Sequence, residues 1–264
     1  MSVNQRRFPV KCPHSGQRAV AEVATVGEPG PSRPRSEAIP WHLVETETET
    51  ESQTETEIQA ETEIEIETAA GLARVTVREP AGEPACLLVL THGAGGTPDS
   101  ADVLAVAGAG LALGAVAALV TQPYVVRGAR APGSADKQDA AWAEIIAALR
   151  GRYPGVPLIQ GGRSNGARVV CRTAHAVGAR GVIALAFPLH PPGHPERSRA
   201  AELPPQPMPT LVLNGERDPF GIPEGGAGIR VIVLPGQTHA LSKDPATIGG
   251  AAGEWIRGLL NRVA

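Results

Sequence analysis

The segment VPLIQGGRSNGAR at residues 156–168 decides the fold of this chain. Residues 156–160 form an apolar run, which predicts a buried strand. Gly162 and Gly166 flank Ser164 in a G-x-S-x-G pattern, and a helical pattern begins directly after the serine. Glycines at these two positions remove side chains that would clash where a strand turns sharply into a helix. The segment therefore predicts a strand, a tight turn that carries Ser164, and a helix.

Further apolar runs on both sides of this segment have the character of strands that are covered on both faces of a sheet. They occupy residues 86–91, 115–121, 181–187, 210–214 and 229–234. Helical patterns lie between most of them. They run from a cap at Asp99 or Ser100 to about Leu113, from Ser134 through Leu149, from just after Ser164, and over residues 246–263.

Two alternating segments precede these runs and predict a β-hairpin. Ile64 and Ile66 alternate with glutamates, residues 73–78 alternate in the same way, and residues 69–71 form the turn. Order is expected to begin near Thr62. The sequence therefore predicts an α/β fold with an eight-stranded, mostly parallel sheet and helices on both faces. Ligands of such sheets bind beyond the carboxyl ends of the strands.

The composition divides the chain into a tail, residues 1–59, and a folded domain, residues 60–264. The first 68 residues hold 6 Lys and Arg against 13 Asp and Glu, although the net charge of the whole chain is only -3. An acidic Thr-Glu repeat and Pro/Gly-rich turns predict that the tail is disordered. A solvated spacer and an acidic interaction tail both fit this composition.

Several classes of partner and site are not expected. The basic residues after the tail do not cluster as nucleic-acid binding requires. Cys12, Cys86 and Cys171 are too widely spaced for a disulfide framework or a zinc site and suit a reducing, cytoplasmic location. Neither a metal nor a cofactor is expected, because His14, His42, His175 and His194 lack metal-ligand spacing.

Two possible targeting signals are also rejected. Arg6 and Arg7 are followed by Pro9, Lys11 and Pro13 rather than by an apolar region, so an export signal is not expected. Residues 103–120 are apolar, but they consist mostly of Ala, Gly, Leu and Val. A buried helix, a turn at Gly114 and a buried strand explain this run better than a membrane span.

Three residues in separate loops form a candidate catalytic set. Ser164 lies at a helix N-terminus, where the dipole favours developing negative charge, and a helix-capping serine is the alternative. Asp218 follows the strand at 210–214, and His239 follows the strand at 229–234. The chain order Ser, Asp, His predicts that Ser164 is the nucleophile, that Asp218 orients the base and that His239 is the base. Glu216 and Asp244 are competing acids.

The glycine-rich loop His92-Gly93-Ala94-Gly95-Gly96 follows the strand at 86–91. Its Ala94 N–H, together with the Asn165 N–H, is predicted to form an oxyanion hole. A phosphate-binding loop is the rival interpretation, but no GKS, GKT or GxGxxG pattern accompanies it. His92 is expected to hold the loop, and His190 and Arg163 are candidates for substrate binding.

The stretches LTHGAGG, GGRSNGAR, FPLHPPGHPE, NGERDPFG and PGQTHAL resemble the testis-expressed-protein group of α/β hydrolases, which includes a subunit of the NSL chromatin complex. That group is related to the dienelactone hydrolases. The resemblance implies the α/β-hydrolase fold, Ser164 as nucleophile, and Asp218 and His239 as its partners. The usual elbow of the group reads GGRSMGGR, so Asn165 and Ala167 are departures that affect the shape of the pocket.

The expected function is a serine hydrolase that acts on a small ester or thioester through an acyl-enzyme intermediate. Residues 189–208 are too few for a large helical cap, so a minimal cap and an open cleft are expected. A non-catalytic interaction protein that retains the fold is the alternative, and a peptidase is a third hypothesis.

Overall fold

The computed structural model describes residues 58–205 and 207–262. The predicted disordered tail therefore lies outside the described residues, except for positions 58 and 59. The described chain forms eight strands: β1 Ile58–Thr68, β2 Gly71–Pro80, β3 Cys86–Thr91, β4 Ala115–Thr121, β5 Leu158–Arg163, β6 Gly181–Leu185, β7 Thr210–Gly215 and β8 Ile229–Leu234. Its α-helices are α1 Ala101–Leu111, α2 Pro123–Val126, α3 Ala135–Arg152, α4 Asn165–Thr173 and α5 Pro245–Leu260.

The strands form one sheet in the order β1-β2-β4-β3-β5-β6-β7-β8. The hairpin strands β1 and β2 are antiparallel to each other, and β2 pairs antiparallel with β4. All strands from β4 across to β8 pair in parallel. The prediction of an eight-stranded, mostly parallel sheet is confirmed. The carboxyl ends of β3, β5, β7 and β8 therefore meet at one edge, where their following loops carry the candidate residues.

Helices cover both faces of this sheet, because its inner strands are apolar on both sides. On one face α3 and α4 bury Trp142, Ile145 and Val169 in a cluster with Leu87 and Val89 of β3. On the opposite face α1 and α5 pack together. There a second cluster contains α1 and α5 side chains with alternate strand residues. The alternation follows from the period of two along each strand.

The hairpin begins earlier than the sequence predicted. β1 starts at Ile58, not near Thr62, because β2 is long enough to pair with it as far as Pro80. The glutamates of β1 lie on its exposed side, where Glu65 and Glu61 pair with Arg74 and Arg78 of β2. Cross-strand charge pairs of this kind offset the electrostatic repulsion among the closely spaced glutamates of β1.

The apolar run at residues 103–120 forms a helix, a turn and a strand, as predicted. α1 occupies its first half, Gly114 turns the chain with a φ of 78°, and β4 follows. Within the described residues, no helix combines the length and hydropathy that a membrane crossing requires.

Two of the differences from the sequence-based bounds lie at the carboxyl ends of β5 and β6. β5 was expected over 156–160 but extends to Arg163, and the Ser164 N–H continues its ladder by donating to the Leu185 carbonyl at 2.8 Å. The β6 strand was expected to reach Phe187 but ends at Leu185 because Ala186 adopts a φ of 46°. Both ends lie at the edge that carries the candidate site.

The connection between β6 and β7 contains no α-helix among its described residues. A single 3-10 turn, Ala200–Glu202, is its regular element. The sequence-based expectation of a minimal cap is confirmed in this part of the chain. The short helix α2, which starts at Pro123, was not predicted, because four residues are too few to show a helical period.

Candidate active site

Ser164 stands at the sharp turn between β5 and α4. Its backbone has a φ of 51° and a ψ of -112°, a conformation that L-residues rarely adopt. A Cβ on Gly162 would lie 2.5 Å from the Gly166 carbonyl carbon, and one on Gly166 would lie 2.5 Å from the His92 carbonyl oxygen. The two glycines therefore permit the strand, the helix and the β3 loop to approach closely. The Ser164 side chain makes no helix-capping hydrogen bond.

The Ser164 hydroxyl is instead joined to His239 and Asp218 in one hydrogen-bonded line. Ser164 Oγ lies 2.8 Å from His239 Nε2, and His239 Nδ1 lies 2.9 Å from Asp218 Oδ2. The carboxylate can only accept, so Nδ1 carries the ring proton and Nε2 accepts from the hydroxyl. The structure thus brings together the three residues that the sequence placed in separate loops.

The Asp218 carboxylate is held in place by contacts other than its hydrogen bond with His239. Its side chain is fully buried. The Phe220 N–H donates to Oδ1 at 2.9 Å, and the buried Asn214 amide lies 3.4 Å from Oδ2. The Phe220 ring also packs on the His239 imidazole with a centroid separation of 4.3 Å. The carboxylate and the imidazole therefore have defined positions.

The loop that carries His239 lies directly against the end of β7. A Cβ on Gly215 would come within 2.5 Å of the Gln237 carbonyl oxygen and 2.6 Å of that of Thr238. Leu241, just after the histidine, has a φ of 47°. Among the described residues, the non-glycine positions with positive φ are Ser164, Ala186 and Leu241, and all follow a strand at this edge. Backbone strain of this kind is concentrated at functional sites.

The β3 loop lies against the serine. A Cβ on Gly93 would be 3.2 Å from the Ser164 Cβ. Ala94 is exposed, and neither its N–H nor that of Asn165 donates a hydrogen bond to any described residue. The Asn165 side chain points elsewhere, because its Nδ2 donates to Gln138 Oε1 at 2.7 Å. Two N–H groups without an acceptor among the described residues thus belong to the immediate chain neighbours of the contact between Gly93 and Ser164, since Ala94 follows Gly93 and Asn165 follows Ser164.

His92 holds the β3 loop in place through hydrogen bonds of both its ring nitrogens. The Gln122 N–H donates to His92 Nε2 at 3.0 Å, so Nδ1 carries the proton and donates to the Gly93 carbonyl at 2.7 Å. The ring is buried, and desolvation lowers its pKa from the ordinary value of 6.5. The contacts match the loop-holding role expected from the sequence.

The neutral His92 ring predicts a dependence of stability on pH. A histidine whose pKa is lower in the folded than in the unfolded chain contributes fully above pH 6.5, and its contribution is lost as the pH falls through the folded pKa. Each unit of lowering corresponds to about 1.4 kcal/mol. Urea unfolding at pH 7.5 and at lower pH values should show a larger loss for the wild type than for His92→Gln. Equal losses would contradict this prediction.

Arg163 connects three parts of the site. Its Nε donates to Asp102 Oδ2 at 2.8 Å, and its Nη2 donates to the His239 carbonyl at 3.0 Å. The Asp102 side chain is only 1% exposed and lies in the first turn of α1. The guanidinium therefore links α1 and the loop of His239 to the end of β5, directly before Ser164.

We expect Arg163→Met to lower the free energy of unfolding by about 3 kcal/mol, because it leaves the buried Asp102 carboxylate without its counter-charge. Urea unfolding measures this loss. In the double variant with Asp102→Asn the loss should be smaller than the sum of the single losses, since the two side chains act as a pair. Simple additivity would refute the coupling.

The remaining candidates lie around this centre. The His190 N–H donates to the Phe220 carbonyl at 2.9 Å, and the half-buried imidazole packs against Gly221, so the residue contacts the loop of Asp218. Glu216 accepts from the Gly236 N–H, and Asp244 caps α5 by accepting from the Thr247 N–H. Neither competing acid forms a hydrogen bond with His239.

Other reactive groups are remote from this chemistry. Cys86 and Cys171 are buried, and burial raises the pKa of the Cys86 thiol to about 12 and raises that of Cys171 further. Cys12 lies outside the described residues. Among residues 58–205 and 207–262, no three His, Cys, Asp or Glu side chains are grouped so that they could hold a metal ion.

Sequence reasoning missed Asn214, Gly215 and Asp102. Asn214 and Gly215 stand at the carboxyl end of β7, and a polar residue at the end of an otherwise apolar strand was the signal for the first. Asp102 is an acid in the first turn of a helix, which the helix dipole alone explains. Its contact with Arg163 spans 61 positions and has no local signature.

Solved structures with similar folds include several hydrolases. A serine hydrolase without a lid from Xanthomonas campestris has a TM-score of 0.64 at 20% identity, and 76% of this chain and 95% of that chain are covered. Est1E from Butyrivibrio proteoclasticus has a TM-score of 0.61 at 12% identity, with 75% and 99% covered. Dienelactone hydrolase from Anabaena variabilis has 0.62 at 15% identity, with 75% and 97% covered. At these identities the likeness shows a shared fold.

A family model described as an alpha/beta hydrolase domain matches residues 84–233, which is more than half of the chain. This segment contains Ser164 and Asp218, and the α/β-hydrolase fold of the described residues agrees with it. No curated protein matches the sequence. The chain belongs to the alpha/beta hydrolase domain family.

Proposed function

We propose that this α/β hydrolase is a serine hydrolase that cleaves a small ester or thioester through an acyl-enzyme intermediate. The observation that carries the proposal is the continuous hydrogen-bonded line from Ser164 Oγ through His239 to Asp218, with separations of 2.8 and 2.9 Å. These separations lie within the range in which a base can take a proton from a nucleophile.

In the proposed reaction, Ser164 Oγ attacks the acyl carbon while His239 Nε2 takes the hydroxyl proton. The imidazolium that forms is stabilised by Asp218, which remains ionised. His239 then donates the proton to the leaving oxygen or sulfur, and an ester bond to Ser164 remains. A water molecule, deprotonated by His239, releases the acid and restores the serine.

The Ala94 and Asn165 N–H groups are proposed to stabilise the oxyanion. Both lack an acceptor among the described residues, and Gly93 places the β3 loop in contact with Ser164. One such donor typically contributes about 3 kcal/mol to the barrier. The donors are backbone groups, so the Asn165 side chain is free to bond Gln138.

Arg163 and His190 are assigned to the surroundings of this centre. For Arg163 we propose a positioning role, because its guanidinium is held between the buried Asp102 carboxylate and the His239 carbonyl. The ring of His190 stands against the Asp218 loop, where it would form one wall of the cleft. The short connection between β6 and β7 leaves the cleft open, which suits small acyl groups.

Within the family, we propose a place near the testis-expressed-protein group, on the strength of the FPLHPP and ERDPFG stretches. The free, buried cysteines suit a reducing cytoplasm. The alternative is an interaction protein that retains the fold. The complete Ser164–His239–Asp218 line favours the enzyme, since a protein that only binds has no need of it.

The experiment is a hydrolysis screen of short- and medium-chain 4-nitrophenyl esters and acyl-CoA thioesters. We expect turnover of at least one series, with an initial burst of 4-nitrophenol that is stoichiometric with enzyme when deacylation is slow. Trapping of an acyl group by mass spectrometry identifies the intermediate. A folded protein that cleaves no member of either series supports the interaction protein.

A further inference from the structure

A pocket of about 700 Å³ lies on the β4 side of the candidate site. We call it the β4-side pocket. Its walls come from the turn between β1 and β2, from α2, and from the first two turns of α3 with the residues before them. None of Ser164, His239 and Asp218 lines it, so it extends beyond the three hydrogen-bonded residues.

The β4-side pocket shares its inner wall with the β3 loop and the start of α4. The Tyr124 hydroxyl, which lines the pocket, donates to the Gly93 carbonyl at 3.3 Å. Gln138, which also lines it, accepts from the Asn165 side chain at 2.7 Å. Gly93 precedes Ala94, and Asn165 carries the second N–H that we assign to the oxyanion, so two lining residues of the pocket contact residues of the proposed oxyanion hole.

The order of the strands determines which part of an ester faces this pocket. His239 and Asp218 follow β8 and β7, whereas the pocket follows β4, on the opposite side of Ser164. His239 must donate its proton to the leaving group, which therefore lies on the β7 and β8 side. The acyl substituent of the same carbonyl points away from His239, toward β4.

The lining of the β4-side pocket combines apolar side chains with the polar Gln122, Ser134 and Gln138 and with two cations. Ala, Pro and Tyr side chains form most of the wall, and Arg127 and Lys137 are its charged members. Arg127 donates one hydrogen bond to the neutral Ala70 carbonyl, which leaves its charge uncompensated. The Glu144 carboxylate, which lies on α3 about two turns beyond Lys137, accepts the Ala69 N–H and does not line the pocket.

On these grounds we propose that the β4-side pocket binds an acyl group with a short apolar chain that ends in a carboxylate. This inference rests on the proposed function. The substrate would be a half-ester or half-thioester of a dicarboxylic acid. Its far carboxylate would pair with Arg127 and Lys137, while Ser164 Oγ bonds to the near acyl carbon and the alcohol or thiol leaves with the proton from His239.

The test compares two esters of equal chain length and the same leaving group, mono-4-nitrophenyl glutarate and 4-nitrophenyl pentanoate. Two charge-assisted contacts are expected to raise kcat/KM for the glutarate about tenfold over the pentanoate at low salt, after correction for spontaneous hydrolysis. The ratio should fall as salt is added, because both cations are exposed.

Substitutions at Lys137 and Arg127 are expected to lower the ratio of kcat/KM for the glutarate to that for the pentanoate. Lys137→Gln should reduce it severalfold, Lys137→Glu should bring it below one, and Arg127→Gln should act in the same direction as Lys137→Gln. Arg230→Gln together with Arg257→Gln removes two positive charges that lie outside the pocket, and this control should leave the ratio unchanged. Because both esters are measured with the same enzyme sample, the ratio of the two kcat/KM values does not depend on the fraction of enzyme that is folded.

A second pair of esters tests the direction of binding. The butyrate esters of phenol and of 4-hydroxybenzoate differ by a carboxylate on the leaving group, and the proposal expects no preference that depends on Lys137. Cleavage of the pentanoate with no preference for the glutarate would overturn the inference alone. Failure to cleave any of the four esters would overturn the inference and the proposed function together.

Discussion

Ser164→Ala is expected to lower kcat for ester hydrolysis by about 10⁴- to 10⁶-fold, since the remaining groups cannot form the acyl-enzyme. The residual rate would come from the oxyanion donors and from binding. Steady-state kinetics with the best 4-nitrophenyl ester measures the effect. Ser198→Ala, at an exposed position in the β6–β7 connection, is the matched control and should retain wild-type kcat.

The strained backbone adds a second readout at the same position. Ser164 has a φ of 51°, and glycine adopts such a conformation without the steric penalty that a Cβ introduces. We expect Ser164→Gly to be as inactive as Ser164→Ala but to have a higher free energy of unfolding than Ser164→Ala, by about 1 kcal/mol. An active Ser164→Gly enzyme would exclude Ser164 as the nucleophile.

Asp218→Asn is the second large effect, with an expected fall in kcat of about 10⁴-fold. An amide can donate to His239 Nδ1, which stabilises the tautomer that carries its proton on Nε2. Nε2 could then no longer accept the Ser164 proton. The measurement is kcat above pH 7, together with a thermal melt that shows the variant to be folded.

The competing acids provide the controls for this substitution. Glu216 accepts from the Gly236 N–H and Asp244 caps α5, and neither touches the imidazole. Glu216→Gln and Asp244→Asn should therefore keep kcat within a fewfold of the wild type. A loss of 10³-fold or more in Glu216→Gln, with Asp218→Asn still active, would transfer the role of the acid to Glu216.

The sequence predicted the parts of the fold that depend on local patterns. The apolar runs predicted β3, β4 and β8 with their observed bounds. β3 and β4 are covered on both faces and therefore apolar, whereas the edge strand β8 is mostly apolar although Arg230 and Val233 are exposed. Ser164, Asp218 and His239 could be placed at one edge because each follows a strand of a parallel sheet. In a parallel sheet, residues that each directly follow a strand therefore lie close together in space, although they are distant in the chain.

The residues that hold this site were not predicted, because their partners are distant in the chain. The contacts of Arg163 reach back 61 positions to Asp102 and forward 76 positions to His239. Gly215 serves the close approach of the His239 loop, which depends on how two loops pack and not on the conformation of either. The β4-side pocket likewise combines the hairpin turn with α2 and α3, and no single segment contains its pattern.

In the proposed enzyme, Ser164 is made nucleophilic by its contact with His239. The most direct measurement is covalent labelling of the folded protein with a fluorophosphonate probe, followed by peptide mass spectrometry. We expect one adduct on Ser164, formed at least 10³-fold more slowly in His239→Ala and absent in Ser164→Ala. A wild-type protein that is folded and not labelled, or one labelled at another serine, would contradict this role of Ser164.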